Sequence, residues 1–410
     1  MSWTYRLLVP LCLVSAGCSV NEVMVAEETE LVVAEAAPIE SELLDVGIIE
    51  FRAGIPDDND SEKTGVFEDI REAESRYLAY HLKTTLQNTG HWGAVRVVPA
   101  ENAFTDLLVN ATIGESDGEF VTLDVTVRDA TGQQWFARSY ETQTGMSSYS
   151  ERRDRRQDPY QKVFNDIAND LYEFDRQLTA ENVRRIRQVS ELQFFGDMSP
   201  LQFGEHLGTD EQGLVTVLRL PAANDPSVDR LRQIRERDRL VIDMLNEHYA
   251  NFYYGIAIPY RAWRKTSREE NVNYRQVKRS AAIQTLVGVA VLAGSAAYDT
   301  SDTSSSKRAI KRGLQGIAME EGFNRIIGGF TRNKEANMHL RSIAELSDSF
   351  GSEAAPMVIS VKGEARRLTG TAAAQYESWR KLLKDIYEAE TGFSEQIEVG
   401  APVRAPEPSG

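Results

Sequence analysis

The sequence predicts an α+β protein, on three observations. Short apolar runs with period-two alternation fill residues 43–145. Apolar residues at three- and four-residue spacing dominate 159–350. A strand pattern followed by a helix pattern closes the folded part at 351–393. The expected architecture is a small N-terminal α/β sandwich, a large helical middle and a C-terminal strand–helix cap.

The first unit opens with Leu44-Asp45-Val46-Gly47-Ile48-Ile49-Glu50-Phe51, a buried-strand pattern. A polar loop through Pro56-Asp57-Asp58-Asn59-Asp60 follows. Ile70, Ala73, Tyr77, His81 and Thr85 recur at helical spacing, and Gly90 supplies a stop. Ala94–Val98 and Leu108–Ile113 read as further strands. Val121, Leu123, Val125 and Val127 alternate, as expected of a strand with one wet face. Asp129-Ala130-Thr131-Gly132 is a turn signal, and Trp135–Thr142 returns as the hairpin partner.

Residues 146–158, with Arg152, Arg153, Arg155 and Arg156, read as a charged linker. Val163, Ile167, Leu171, Phe174 and Leu178 then stripe a helix. Leu214–Leu220 suggests a short strand. Asp225-Pro226 pairs an N-cap with proline at the first helical position, and Val228, Leu231, Ile234, Val241, Leu245 and Phe252 share the face that follows. Near the end, Met357, Ile359 and Val361 alternate. Thr371 caps a helix carrying Tyr376, Trp379, Leu383 and Ile386. Residues 394–410, rich in proline, read as a disordered tail.

The region from Tyr249 to Phe330 has the most unusual composition. Tyr249, Phe252, Tyr253, Tyr254, Tyr260 and Trp263 cluster, and seven bases follow between Arg261 and Arg279. Ala281–Tyr298 then runs eighteen residues without a charge. Such a run spans about 27 Å, the lower bound for crossing a bilayer. It is mild, however: Gln284, Thr285 and Ser295 interrupt it, and Ala290-x-x-x-Gly294 is a small-residue seam. A second glycine-rich segment follows a polar loop, so 281–330 is expected to form a small-residue helical hairpin. Tyr260, Trp263, Arg264, Gly288 and Gly294 are its candidate membrane or partner contacts.

The chain carries 46 basic and 62 acidic residues among 410, a formal charge of −16. That excess argues against nucleic acid as a partner. Of five histidines none lies four residues from another, so no His-Glu-x-x-His zinc motif exists. Neither a phosphate-binding glycine loop nor a Gly-x-Ser-x-Gly elbow occurs. No cofactor is expected. The one acid–base fragment is Glu205-His206 with Asp210 nearby, although neighbouring residues on a helix point apart.

The two cysteines, Cys12 and Cys18, both lie near the start. Arg6 precedes the apolar run Leu7–Val14, and Ser15-Ala16-Gly17 leads into Cys18. Eight apolar residues cover only about 12 Å of helix, so this is the pattern of a cleaved export signal over 1–17. Residues 18–42 hold seven glutamates after the cysteine and no base, and read as an acidic tether. As a free coil it would reach roughly 25–30 Å.

Ser15-Ala16-Gly17-Cys18 resembles the lipobox of bacterial lipoproteins, with Ser15 where that family usually has Leu. The resemblance implies cleavage before Cys18 and lipid on its thiol, including acyl chains such as palmitate. Ser19 resembles the family's outer-membrane address, which implies a periplasm-facing anchor. Residues 43–145 also resemble, in element order and in Val46-Gly47-Ile48-Ile49-Glu50-Phe51, a small α/β domain of envelope proteins. That group includes the N-terminal domain of the Tol-system protein TolB, the curli secretion lipoprotein and the lipoprotein activators of penicillin-binding proteins. Such domains mostly bind other proteins.

The leading expectation is therefore a non-catalytic accessory or scaffold of an envelope assembly or transport system. It would sit on the membrane through Cys18 and contact an unidentified envelope protein, and self-association is compatible with it. Two other readings are a pore or secretion component inserting 281–330, and an envelope-polymer hydrolase using His206.

Overall fold

The sheet grows outward from β1 (Val46–Ile49), which pairs in parallel with both β2 (Val95–Val98) and β3 (Leu107–Ser116). From β3 the chain turns back on itself through β4 (Phe120–Asp129) and β5 (Gln134–Gln143), giving the order β2-β1-β3-β4-β5. Helix α1 (Glu68–Thr89) makes the crossover between β1 and β2 and ends on Gly90 at φ 71°. The computed structural model describes residues 28–36, 38–57, 66–150, 157–296, 357–361 and 364–391, with positions 338, 341–346 and 348.

The α+β class is as the sequence predicts. Val121, Leu123, Val125 and Val127 are all buried, while Asp124 and Arg128 on the other face are exposed. Helix α1 is more enclosed than its stripe suggests, with fifteen of its 22 residues buried. The sheet lies against one side. Against others lie α2 (Gln161–Asp175) and α4 (Pro226–Ala296). A helix wetted on so little of its surface is a core element. The hydrophobic core is accordingly continuous from Leu44 through the sheet and α1 into the helices beyond residue 145.

Helix α3 (Ala180–Met198) was not legible as a separate element. Its start is fixed by Thr179, whose side-chain oxygen accepts from Asn182 N at 3.2 Å. The pair β6 (Leu207–Thr209) and β7 (Val215–Val217) places the expected strand at 214–220 in a small hairpin. Helix α4 runs unbroken for 71 residues, about 107 Å at 1.5 Å per residue. Residues 249–296, expected as a separate cluster and hairpin arm, are its continuation. Pro259 lies inside it and removes a donor from the carbonyl of Gly255, which sits on the exposed face where water can take its place. The other arm of the expected hairpin, near 310–330, lies outside the described residues. The C-terminal unit is the hairpin β8 (Met357–Val361) and β9 (Glu364–Leu368), followed by α5 (Ala372–Thr391). Tyr376, Trp379, Leu383 and Ile386 are buried as the stripe requires.

Part of the acidic tether is not free. Residues 28–36 lie along α2 and the end of α1. Asn165 Nδ2 donates to Thr29 O at 2.7 Å and Asn169 Nδ2 to Glu30 O at 2.9 Å. Val32 N donates to Asn169 Oδ1 at 3.0 Å, and Ala34 N to Thr89 O at 2.8 Å. Leu31 packs against the core. Two asparagines one helical turn apart satisfy an extended backbone that composition alone assigns to solvent.

Candidate functional site

The residues singled out at the aromatic and basic end of the long helix converge with α1 and the start of α2. Asp158 sits just before α2, where Tyr160 N donates to its Oδ1 at 2.8 Å in a side-chain turn. Arg264 on α4 donates from Nη1 to Asp158 Oδ1 and from Nη2 to Oδ2, both at 2.8 Å. The Tyr77 hydroxyl on α1 adds a bond to Oδ2 at 3.0 Å. The guanidinium lies 4.1 Å from the Tyr260 ring centroid and 4.8 Å from that of Tyr160. Burial pushes the Asp158 carboxyl up, and the paired guanidinium more than offsets it, holding Asp158 well below the usual carboxylate range.

One turn earlier on α4, the Tyr260 hydroxyl donates to Glu74 Oε1 at 2.7 Å, as does Ser116 at 2.6 Å. Glu74 is fully enclosed, and burial raises its pKa despite Arg71 nearby. His81 bridges Tyr253 and Gln161: its Nε2 donates to Gln161 Oε1 at 2.9 Å and its Nδ1 accepts from the Tyr253 hydroxyl at 2.7 Å. Burial lowers its pKa, so the neutral ring is the favoured form.

The same stretch of α4 grips the β3–β4 turn. Gly118, at φ 84°, comes so close that a Cβ there would stand 2.1 Å from Arg264 O. Its N–H donates to the Tyr160 hydroxyl at 3.0 Å, and its carbonyl accepts from Thr144 and Tyr149 at 2.7 and 2.6 Å. Asn271 bonds the carbonyl of Asp117, and Arg275 pairs with Asp117 and Glu119. Further along, the buried Asp238 of α4 accepts from Tyr376 and Trp379 of α5 at 3.2 and 3.1 Å. Arg380 lies between that carboxylate and Asp197 of α3.

Tyr260, Trp263 and Arg264 are thus inside the protein, at 0%, 3% and 1% exposure, rather than on a face that a membrane or partner touches. The aromatic and basic pattern was real. Its partners are α1, Asp158 and the Gly118 turn, which are distant in sequence. Gly288 and Gly294 lie on the last turns of α4, where the backbone is helical and side-chain surroundings are outside the described residues. Cys18 is also outside them.

The acid–base fragment does not assemble. His206 is buried, with Nδ1 2.9 Å from Arg219 O, whereas the Glu205 carboxylate is exposed and pairs with Arg219 at 3.6 Å. Asp210 Oδ1 accepts from Gln212 N and Leu214 N, holding the β6–β7 turn. Among the described residues no group of three or more His, Cys, Asp or Glu side chains could hold a metal ion. No described helix is long and apolar enough to cross a membrane. Comparison of the chain with protein-family models, curated proteins and solved structures gives no match.

Proposed function

We propose that the protein is a lipid-anchored scaffold of the bacterial envelope, held at the outer membrane through Cys18 and contacting an envelope protein from the periplasmic side. The single observation that carries this reading is the form of α4. One helix of 71 residues is locked to the sheet through Arg264 and Gly118 and to the C-terminal unit through Asp238. It continues without interruption into the uncharged small-residue run that begins at Ala281. A helix fixed at several points transmits position rather than absorbing it, which suits an element that presents a contact segment at a set distance from the body. The anchor part of the proposal rests on Ser15-Ala16-Gly17-Cys18.

In-cell cross-linking from a photoreactive residue placed at Gly294 tests the scaffold. A discrete cross-linked protein that disappears when residues 281–296 are replaced by a polar helical sequence is the expected result. Adducts to lipid alone would sink the scaffold and favour membrane insertion. Metabolic labelling with an alkyne fatty acid tests the anchor separately: label on the chain, lost with Cys18→Ala, is expected.

A further inference from the structure

Two helices and the segment leading into β1 enclose a groove of about 760 Å³, lined by arginines from several elements. The volume lies in the range of small-molecule sites. Arg176 follows α2, Arg184 and Arg187 lie on α3, and Arg232, Arg235 and Arg239 project from successive turns of α4. Three have carboxylate partners: Arg176 with Glu173 at 3.0 Å, Arg232 with Glu191 at 2.9 Å, and Arg239 with Asp45 at 3.1 Å.

The other three do not hydrogen-bond a carboxylate. Arg187 Nη1 donates to the carbonyls of Glu40 and Ser41, at 3.2 and 2.8 Å. Arg235 Nη2 donates to Phe104 O at 3.0 Å and to Ser190 Oγ at 2.7 Å. Arg184 has no hydrogen bond or ion pair to any described residue. A guanidinium carries five N–H donors in a planar fork, so most of these donors remain for a ligand. The lining also holds five acidic residues, Glu42, Asp106, Asp175, Glu191 and Glu236, against its six arginines, and Glu191 and Glu236 are engaged by Arg232 and Arg239. Burial pushes the carboxyls of Asp106 and Asp175 above the usual carboxylate range, so their repulsion of an anion weakens as pH falls.

We propose that this groove binds a small oxyanion carrying several phosphate or carboxylate groups, with Arg184, Arg187 and Arg235 supplying the hydrogen-bond forks. Guanidinium forks match both groups bidentately. Placing three of them on two facing helices favours a ligand with more than one charged group over a single ion. The inference is independent of how the chain is anchored.

Calorimetric titration of the full chain in detergent tests it, with inorganic tripolyphosphate as the phosphate probe and citrate as the carboxylate probe. Saturable one-to-one binding of either is expected, weakening as sodium chloride rises. Arg184→Ala is expected to weaken it about tenfold with the melting temperature unchanged, because that side chain is exposed and has no partner among the described residues. Arg187→Lys, which keeps the charge and loses the fork, is expected to weaken it as well. Arg138→Ala, remote on β5, is the control and leaves binding intact. Which probe binds tells a phosphate ligand from a carboxylate one. No saturable heat with either probe, or binding that the groove variants weaken no more than Arg138→Ala does, would overturn the proposal.

Discussion

Arg264 lays its two terminal nitrogens on the two carboxylate oxygens of Asp158, each at 2.8 Å, with both side chains almost wholly enclosed. The pair joins residues 106 positions apart. With Tyr77 it ties α1, the start of α2 and the middle of α4 at one point. Removing two charges from water is costly, and the attraction between them offsets that only when the geometry is good and the remaining hydrogen-bonding capacity is used. Here the carboxylate also takes bonds from Tyr77 and Tyr160, and the guanidinium lies against aromatic rings, although its buried Nε has no partner among the described residues. The pair therefore works chiefly as a device for fixing register between helices.

The first prediction follows from that balance. Asp158→Asn or Arg264→Met alone leaves an uncompensated buried charge and should cost about 3–5 kcal/mol. The double variant should cost clearly less than the sum of the two, as a double-mutant cycle by urea unfolding will report. Because Asp158 is held below its ordinary pKa of 3.8, its stabilisation is present above that pH and is lost as pH falls below it. The cost of Asp158→Asn should shrink accordingly on acidification. Strict additivity at neutral pH would refute the coupling.

Local pattern carried most of the fold, and long-range pairing carried most of the site. The period-two run Val121–Val127 and the stop at Gly90 depend on neighbours in sequence, so they could be read directly. Helix α3 escaped because Arg184, Arg185 and Arg187 crowd its second and third turns and blur the stripe of Val183, Ile186 and Val189. The Thr179–Asn182 capping pair was the signal that could have found it. Tyr260, Trp263 and Arg264, expected as membrane or partner contacts, are buried in the protein. Their burial against Tyr77, Glu74 and Asp158 depends on topology that one-dimensional spacing does not encode. The arginine groove is invisible for the same reason, since its cations come from α3, α4 and the end of α2.

Two glycines with nearly the same backbone angle should respond very differently to a methyl group. Gly132, at φ 86°, has nothing within 4 Å of a built Cβ, so Gly132→Ala should cost only the left-handed penalty of about 1–2 kcal/mol. Gly118, at φ 84°, meets the backbone carbonyl of Arg264 at 2.1 Å. Gly118→Ala must also push α4 away from the turn, and should cost at least twice as much. Equal losses in paired thermal melts would mean that the turn and α4 are not in contact.

Asp175 gives a pH-dependent prediction. It is partly buried at the groove, and desolvation pushes its pKa from 3.8 up to about 6. Between those values the folded state keeps the proton and the unfolded state has lost it, so stability falls as pH rises through the window. Asp175→Asn removes that dependence. It should raise the melting temperature by about 1–3 °C at pH 7 and leave it unchanged near pH 3.5. A gain of the same size at both values would show that the carboxyl is not the cause.

The docked strap sets the last prediction. Asn169 makes two of the bonds that hold residues 28–36, to Glu30 O and from Val32 N, and Asn165 makes a third. Each bond contributes about 0.5–1.5 kcal/mol, so Asn169→Ala should release the strap locally without unfolding the protein. Hydrogen exchange at the amides of Val32 and Ala34 should then quicken about tenfold or more, while the global melting temperature moves little. For the anchor proposed above, the consequence would be geometric. With the strap docked, nine residues (19–27) would separate Cys18 from residue 28, and a free chain of that length would reach roughly 15–18 Å. With the strap released, the separation would grow to eighteen residues (19–36), for which a free chain would reach about 21–25 Å. A spin label on the body should therefore move measurably away from the bilayer in the Asn169→Ala protein. Unchanged exchange at Val32 would show that the asparagines do not hold the strap, and faster exchange with an unchanged distance would show that something other than the tether sets the spacing.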